Sequence, residues 1–483
     1  MNSLTPIEVQ PVGLDWQPTT ELLPYQQAAV DKLLPSRVAA LFMEMGLGKT
    51  RTAIQFAWLR RRKVSRVLWF CPVSLKETVR QEIFKHTTAG PKDVYVFDDK
   101  TRTPVPSAYW HIVGIESMSS SARAYLAARS LVDERSFVIL DESTYIKGHR
   151  AIRTRRITDL ALPARYRMLL TGTPITQGVV DLYAQMRFLS PKILGYNSFY
   201  SFARRHLEYS DKYPGLIVAS HNTAYLAAKM QPYIYQITKE ECLDLPDKLY
   251  ESVWYKMTTE QRELYEQAKY TLLADSDRYE DISIAIFRVF SALQQVVCGF
   301  WHDTVNNRLY KVPHFRLDML GEAAARVPAG EKVIIWSKYL RTIEEISSFL
   351  AREYGPDTVM QLHGNLSERE RTAQIERWRR EGRFLVATQA TGGHGLTLNE
   401  AHHVIFYTNS FKYSERDQAE SRNHRLGQTH PVTYIDISCS KSIDERILTA
   451  LSNKEDVVTA FRREVEKVKD GRRDAFKKLA GAL

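Results

Sequence analysis

The chain has 483 residues, 44% hydrophobic and 25% charged, the balance of a globular protein with several cores and not of a disordered chain. It contains no run of 18 apolar residues, and residues 1–17 lack the basic-then-apolar order of a secretory signal, so neither a membrane span nor a leader is expected. The formal charge is +11, from 67 Lys and Arg against 56 Asp and Glu, which favours a polyanionic partner, nucleic acid first, with simple solubility as the plainer reading.

Short apolar runs alternate with helical patterns, the mark of a parallel α/β architecture. Strands are expected at 38–43, 67–71, 110–115, 137–140 and 168–170. The stretch 190–329 reads as mostly helical, with apolar residues near a 3.6 period at 259–273 and 281–297. A second strand series follows at 332–336, 358–362, 384–388, 403–407 and 432–437. The tail, 459–483, reads as one charged helix with eight Lys/Arg against four Asp/Glu. Such mixed charge marks a solvated face, with a DNA-contacting tail as the alternative. Cys71, Cys242, Cys298 and Cys439 are far apart and form neither a CxxC pair nor a disulfide framework. That suits a reducing, cytoplasmic setting and gives no zinc site.

Four segments carry chemistry. Met45-Gly46-Leu47-Gly48-Lys49-Thr50 follows a strand and opens a helix. Glycines there let backbone N–H groups close around phosphates at a helix N-terminus. Lys49 would reach the β- and γ-phosphates of ATP and Thr50 would hold Mg²⁺. Asp141-Glu142 ends the apolar run 137–140, where α/β sheets bind ligands. Asp141 would coordinate Mg²⁺ through water and Glu142 would orient or deprotonate the attacking water; a plain helix cap is the alternative. Thr171-Gly172-Thr173-Pro174 offers a glycine and two hydroxyls at a strand end, able to couple two sites or to make an ordinary turn. In 418–428, Arg422 and Arg425 fall on one face if the segment is helical. They read as arginine fingers for a γ-phosphate, or as surface salt-bridge partners.

In this order, and with Gln26 ahead of them, these residues resemble the Swi/Snf-type ATPases of helicase superfamily two. The most specific matches are MGLGKT, LLTGTPITQGVVDLYAQMRFLSP (169–191) and QAESRNHRLGQ (418–428). The resemblance spans about 21–457 and leaves no extra module, like a bare bacterial or bacteriophage motor. It implies two RecA-like P-loop lobes, each a parallel sheet flanked by helices, with a helical insertion between them. The implied boundaries are an extension at 1–20, lobe one at 21–240, an insertion and linker at 241–330, lobe two at 331–458 and the charged helix at 459–483.

The resemblance also implies roles. ATP would lie between the lobes. Gln26 would read adenine, and Met45 to Thr50 with Gly395 would bind the nucleotide. Lys49, Asp141, Glu142, Gln418, Arg422 and Arg425 would be catalytic, and Thr50 and Asp141 would hold the metal. DNA contacts would come from Pro72, Ser74, Ser117, Thr171, Thr173, Ser337, Gly364, Thr391 and Gly392. The sequence departs from the family pattern at Ser143-Thr144, at Gln236-Ile237 before Thr238-Lys239, and near Val79, without loss of an essential ATPase residue. The expected activity is ATP-dependent translocation on double-stranded DNA, branched or forked forms included, with room for a protein partner and none for a membrane. A strand-separating helicase and an ATP-gated DNA-binding scaffold are the alternatives.

Overall fold

The computed structural model describes residues 16–175, 178–210, 217–279, 281–392, 396–468 and 472–483. The chain divides into two compact units, Met1–Asp244 and Leu245–Leu483.

Unit one is built on a seven-stranded sheet. Its order is Val94–Val96, Trp110–Gly114, Arg66–Cys71, Ser136–Asp141, Tyr166–Leu170, Val38–Met43 and Ile234–Ile237. Every pairing is parallel. A parallel sheet is covered on both faces, which is why its central strands read as unbroken apolar runs. Val38–Met43 shows this directly: all six residues are buried. Ala40 and Phe42 enter one apolar cluster, and Ala39, Leu41 and Met43 enter the other, as the alternation of strand side chains requires.

Unit two repeats the plan with six parallel strands in the order Lys248–Tyr255, Val432–Cys439, Ala401–Phe406, Lys332–Ser337, Phe384–Thr388 and Val359–Leu362. The two α/β lobes anticipated from the strand series are therefore present.

The connecting stretch differs from a helical insertion. Ile234–Ile237 joins the first sheet and Lys248–Tyr255 forms an edge of the second. Two antiparallel hairpins lie in the same stretch: Leu207–Tyr209 with Ile217–Ser220, and Phe300–Asp303 with Arg308–Lys311. Lys248–Tyr255 buries only Val253 and Tyr255 fully, too few positions to display a period of two. The helices Thr259–Asp275 and Ile282–Val297 do form, and Tyr265, Ile286, Phe290 and Leu293 sink into the core of unit two. Residues 245–329 are thus part of the second unit, and residues 190–244 belong to the first.

The tail also differs. It forms two helices, Val457–Lys467 and Arg472–Gly481, whose Phe461, Val465, Ala475 and Phe476 belong to that same core. The Phe461 ring meets Phe290 edge-on at 4.9 Å. Abundant charge on the outer faces hid a sparse apolar stripe. Among the described residues, no helix is long and apolar enough to cross a membrane.

Candidate functional site

In unit one the chemistry-bearing segments gather at the C-terminal edge of the sheet, where adjacent parallel strands release their loops on the same side. The loop after Val38–Met43 carries Gly46 at φ 86° and Gly48 at φ 74°. Both are left-handed conformations that glycine adopts without steric cost. Gly48 has a second reason to be glycine: a Cβ there would lie 2.3 Å from Nε2 of Gln26. Gln26 is buried; its Nε2 donates to the Leu47 carbonyl at 3.0 Å and its Oε1 accepts from the Leu23 N–H at 3.0 Å. The residue expected to read adenine is thus braced against the phosphate loop.

Helix Lys49–Arg60 starts directly after Gly48, so its first N–H groups and the positive end of its dipole face the loop. The Lys49 ammonium donates to the carbonyls of Met43 (2.9 Å) and Glu44 (3.4 Å). Thr50 is partly exposed in the first turn. Glu44 is held from far along the chain: its carboxylate accepts the Lys239 N–H at 2.8 Å and lies 3.6 Å from the buried Lys239 ammonium.

Beside the loop opens a groove of about 740 Å³, lined by Thr20, Glu21, Leu22, Pro24, Arg51 and others. The buried Arg51 guanidinium forms one wall and is fixed by Thr20 and Gln55.

Asp141 ends the central strand Ser136–Asp141 and is buried. Burial pushes its carboxyl up to about 7; neighbouring Glu142 adds to the rise and the Lys49 charge opposes it. Its Oδ1 accepts the Glu142 N–H at 2.9 Å. Glu142 itself stands at φ 48°, a left-handed conformation that costs a non-glycine residue about 1 kcal/mol or more and is concentrated at functional sites. Thr171 and Gly172 complete the edge. The Thr171 N–H bonds the Leu41 carbonyl at 3.2 Å, and a Cβ on Gly172 would lie 3.3 Å from the Met45 nitrogen. The Thr171-Gly172 segment therefore packs on the phosphate loop, Asp141 pairs with Leu170 on the neighbouring strand, and the Lys49 charge acts on Asp141.

These residues suit a triphosphate with a divalent cation. Thr50 and Asp141 offer hard oxygen donors, and Mg²⁺ commonly takes one or two such protein ligands beside phosphate oxygens and water.

The candidate DNA contacts divide. Ser74 is exposed and Ser117 and Thr173 are partly so. Pro72 is buried, and the neighbouring Val73 N–H is tied to the Glu116 carboxylate at 2.9 Å. Two hydroxyls expected at DNA are instead internal. Thr171 is fully buried and its Oγ1 accepts from the Thr173 N–H at 3.2 Å. Ser337 is fully buried and bonds the hydroxyls of Thr342 and Thr408 at 2.5 and 2.9 Å. Small hydroxyls at strand ends serve the strand's own turn before they serve a ligand.

In unit two, Gly364 is exposed at the end of Val359–Leu362. Thr391 lies close to it and is bonded to Thr388 at 2.8 Å. Gly392 closes the short helix Gln389–Gly392. Gly395 lies outside the described residues.

The 418–428 segment is helical only in its first part. Helix Tyr413–Glu420 carries Gln418 and ends before either arginine. Arg422 and Arg425 sit in the turns that follow, so their shared orientation has another cause. Nη1 of each approaches the same carbonyl, Leu396, at 3.4 and 3.5 Å. A buried network anchors the helix: Arg416 bonds both Asp436 oxygens (2.5 and 3.0 Å) and Glu420 (2.7 Å). Burial alone would raise the Glu420 carboxyl, but Arg416 and Lys248 hold it below its usual range. Sequence reasoning missed Arg416, Arg51 and the Glu44–Lys239 pair, whose partners are set by tertiary contacts with no local pattern.

The fold and the phosphate loop define a P-loop protein with two parallel α/β units. The chain belongs to the SNF2-related family: residues 25–300, more than half of it, match the SNF2-related domain, and residues 316–427 match the helicase conserved C-terminal domain. It is similar to the zebrafish (Danio rerio) chromodomain-helicase-DNA-binding protein 1-like, 24% identical over 435 residues that cover 85% of this chain and 40% of the relative. It is also similar to the human (Homo sapiens) DNA annealing helicase and endonuclease ZRANB3, 24% identical over 453 residues, covering 90% of this chain and 40% of the relative. The chain thus spans less than half the length of either. A solved Sulfolobus solfataricus SWI2/SNF2 ATPase core in complex with double-stranded DNA is 22% identical, with a TM-score of 0.44, over 97% of this chain and 98% of that one.

Proposed function

We propose that this chain is a DNA-dependent ATPase that moves along double-stranded DNA. The observation that carries the reading is the meeting of three segments at one sheet edge: the phosphate loop at Gly46–Lys49, the acidic pair Asp141-Glu142, and Thr171-Gly172 packed on Met45. Family membership and the +11 charge support a nucleic-acid track.

In this reading ATP is the substrate. Its adenine enters the groove walled by Arg51, with Gln26 as the candidate reader of the base, and its phosphates meet the loop N–H groups and Lys49. Thr50 and Asp141 would hold Mg²⁺, which would supply neutralisation of phosphate charge. Glu142 sits at the sheet edge and orients the attacking water. Gln418, Arg422 and Arg425 belong to the same chemistry, the two arginines meeting charge that develops on the γ-phosphate. The ATP-dependent change acts on DNA through backbone contacts, with Ser74, Ser117, Thr173, Gly364, Thr391 and Gly392 as candidates, so sequence preference is weak. The four free cysteines fit a cytoplasmic setting.

The test is steady-state ATP turnover with no nucleic acid, single-stranded DNA, duplex DNA and RNA, alongside Glu142→Gln. Strong stimulation by duplex, lost in the variant, supports the reading. Stimulation confined to single strands or RNA points to a strand-separating helicase, and no turnover at all to a scaffold.

A further inference from the structure

The basic residues after the acidic pair are not used by the motor reading. In unit one the segment after Asp141-Glu142 runs back over helix Phe199–His206, where the His149 and Phe199 rings stack at 3.6 Å and 12°. This brings Arg150 to Tyr200: Nη2 donates to the Tyr200 hydroxyl at 2.8 Å, and the guanidinium lies 5.9 Å from the ring centre. Partial burial raises the Tyr209 hydroxyl, and the Arg150 charge opposes that rise. At the other end of the helix, Tyr225 stacks against His206, with Arg205 at 5.3 Å and Lys229 at 5.1 Å from its ring centre. Arg204, one helical turn on from Tyr200, is also exposed.

Two features set this face apart from an ordinary solvated one. First, its tyrosines are open: Tyr200 is 68% exposed, Tyr225 40% and Tyr209 39%. Second, no carboxylate among the described residues lies within salt-bridge distance of Arg150, Arg204, Arg205 or Lys229. The neighbouring Glu208 is taken by His221 at 2.7 Å. Cations without acidic partners suit phosphates. Exposed rings flanked by cations suit unpaired bases, because stacking needs an accessible base face that a duplex hides. From Tyr200 to His206 the helix rises roughly 9 Å, a span of a few nucleotides.

We propose that the exposed side of helix Phe199–His206, from Tyr200 and Arg150 at one end to Arg205 and Tyr225 at the other, binds a single-stranded polynucleotide by base stacking and phosphate contact, separately from the duplex track. It would hold an unpaired strand at a fork, gap or end.

The test is fluorescence anisotropy without nucleotide, on the full chain, with a labelled 20-mer of oligothymidine, a 20-mer of oligouridine and a blunt duplex. Tyr200→Ala/Tyr225→Ala is expected to weaken oligothymidine binding about tenfold or more and duplex binding less than twofold. Tyr200→Phe, which keeps the ring, should retain most of the affinity. The oligouridine arm separates DNA from RNA as the source of the strand, and a loss on oligothymidine supports the proposal whether or not RNA follows. Unchanged oligothymidine binding, or an equal loss on the duplex, overturns it. Duplex-stimulated ATP turnover, measured on the same variant, reports the motor reading independently.

Discussion

Ser143 donates a 2.6 Å hydrogen bond to Oε1 of Gln185, and both side chains are fully buried. Through Nε2, Gln185 also reaches the carbonyls of Pro174 (2.8 Å) and Asp181 (3.0 Å). One amide therefore ties the residue after the Asp141-Glu142 pair to the end of the Thr-Gly-Thr-Pro segment. Thr144, the fourth residue of the segment that begins at Asp141, marks a departure from the family pattern, and Ser143 just before it supplies the link. Gln185→Ala leaves the buried Ser143 hydroxyl and the Pro174 carbonyl short of a partner, a loss of about 1–3 kcal/mol. Urea denaturation should show it. ATP turnover should lose part of its response to DNA while nucleotide binding holds.

Gly48 should tolerate no side chain. Gly48→Ala meets both a left-handed backbone and the Gln26 amide, so the loop or Gln26 must shift. Nucleotide affinity, read by a fluorescent ATP analogue, should fall tenfold or more. The same change at Gly330, also at positive φ but with nothing near its Cβ, carries only the backbone cost and should leave nucleotide binding intact.

Arg425→Ala should leave ATP binding largely unchanged and lower turnover by ~10³-fold, as removal of an arginine finger does. Turnover near that of the unaltered protein would show that the Leu396 contact is structural only. Glu142→Gln should retain ATP and block hydrolysis, which a filter-binding assay with labelled ATP separates from loss of binding.

His111 predicts a pH dependence of stability. Burial lowers the imidazole to about 4, partly opposed by its bond to the Pro106 carbonyl. The folded value lies below the unfolded one near 6.5, so between these values the unfolded chain binds more protons and stability falls as pH drops. The full effect is roughly 3 kcal/mol. Unfolding midpoints from pH 7 to 4.5 should fall less steeply in His111→Gln, whatever the starting stability.

The tail should behave as core. Phe461→Ala removes a ring packed on Phe290 and should cost about 3 kcal/mol or more. Removal of residues 457–483 should expose apolar surface of unit two. A tail that was only a solvated charged helix would tolerate both.

The parallel sheets were legible because buried central strands read as apolar runs, and the phosphate loop was legible because Gly46, Gly48 and Lys49 each answer a local need. Lys248–Tyr255 was not, since an edge strand shows its pattern only at Val253 and Tyr255. Arg422 and Arg425 were recognised by type and spacing, but the turn that brings both to Leu396 follows a helix anchored by Arg416 and Asp436, which no local period marks. Thr171 and Ser337 misled for the opposite reason: a hydroxyl at a strand end looks alike whether it faces a ligand or its own turn.

The most direct measurement is displacement of a short third strand from a triplex formed on duplex DNA. Movement along duplex DNA predicts ATP-dependent release of the third strand while the underlying duplex stays paired, and no release with Glu142→Gln. ATP hydrolysis stimulated by duplex with the third strand left in place, or release accompanied by separation of the duplex, would contradict it.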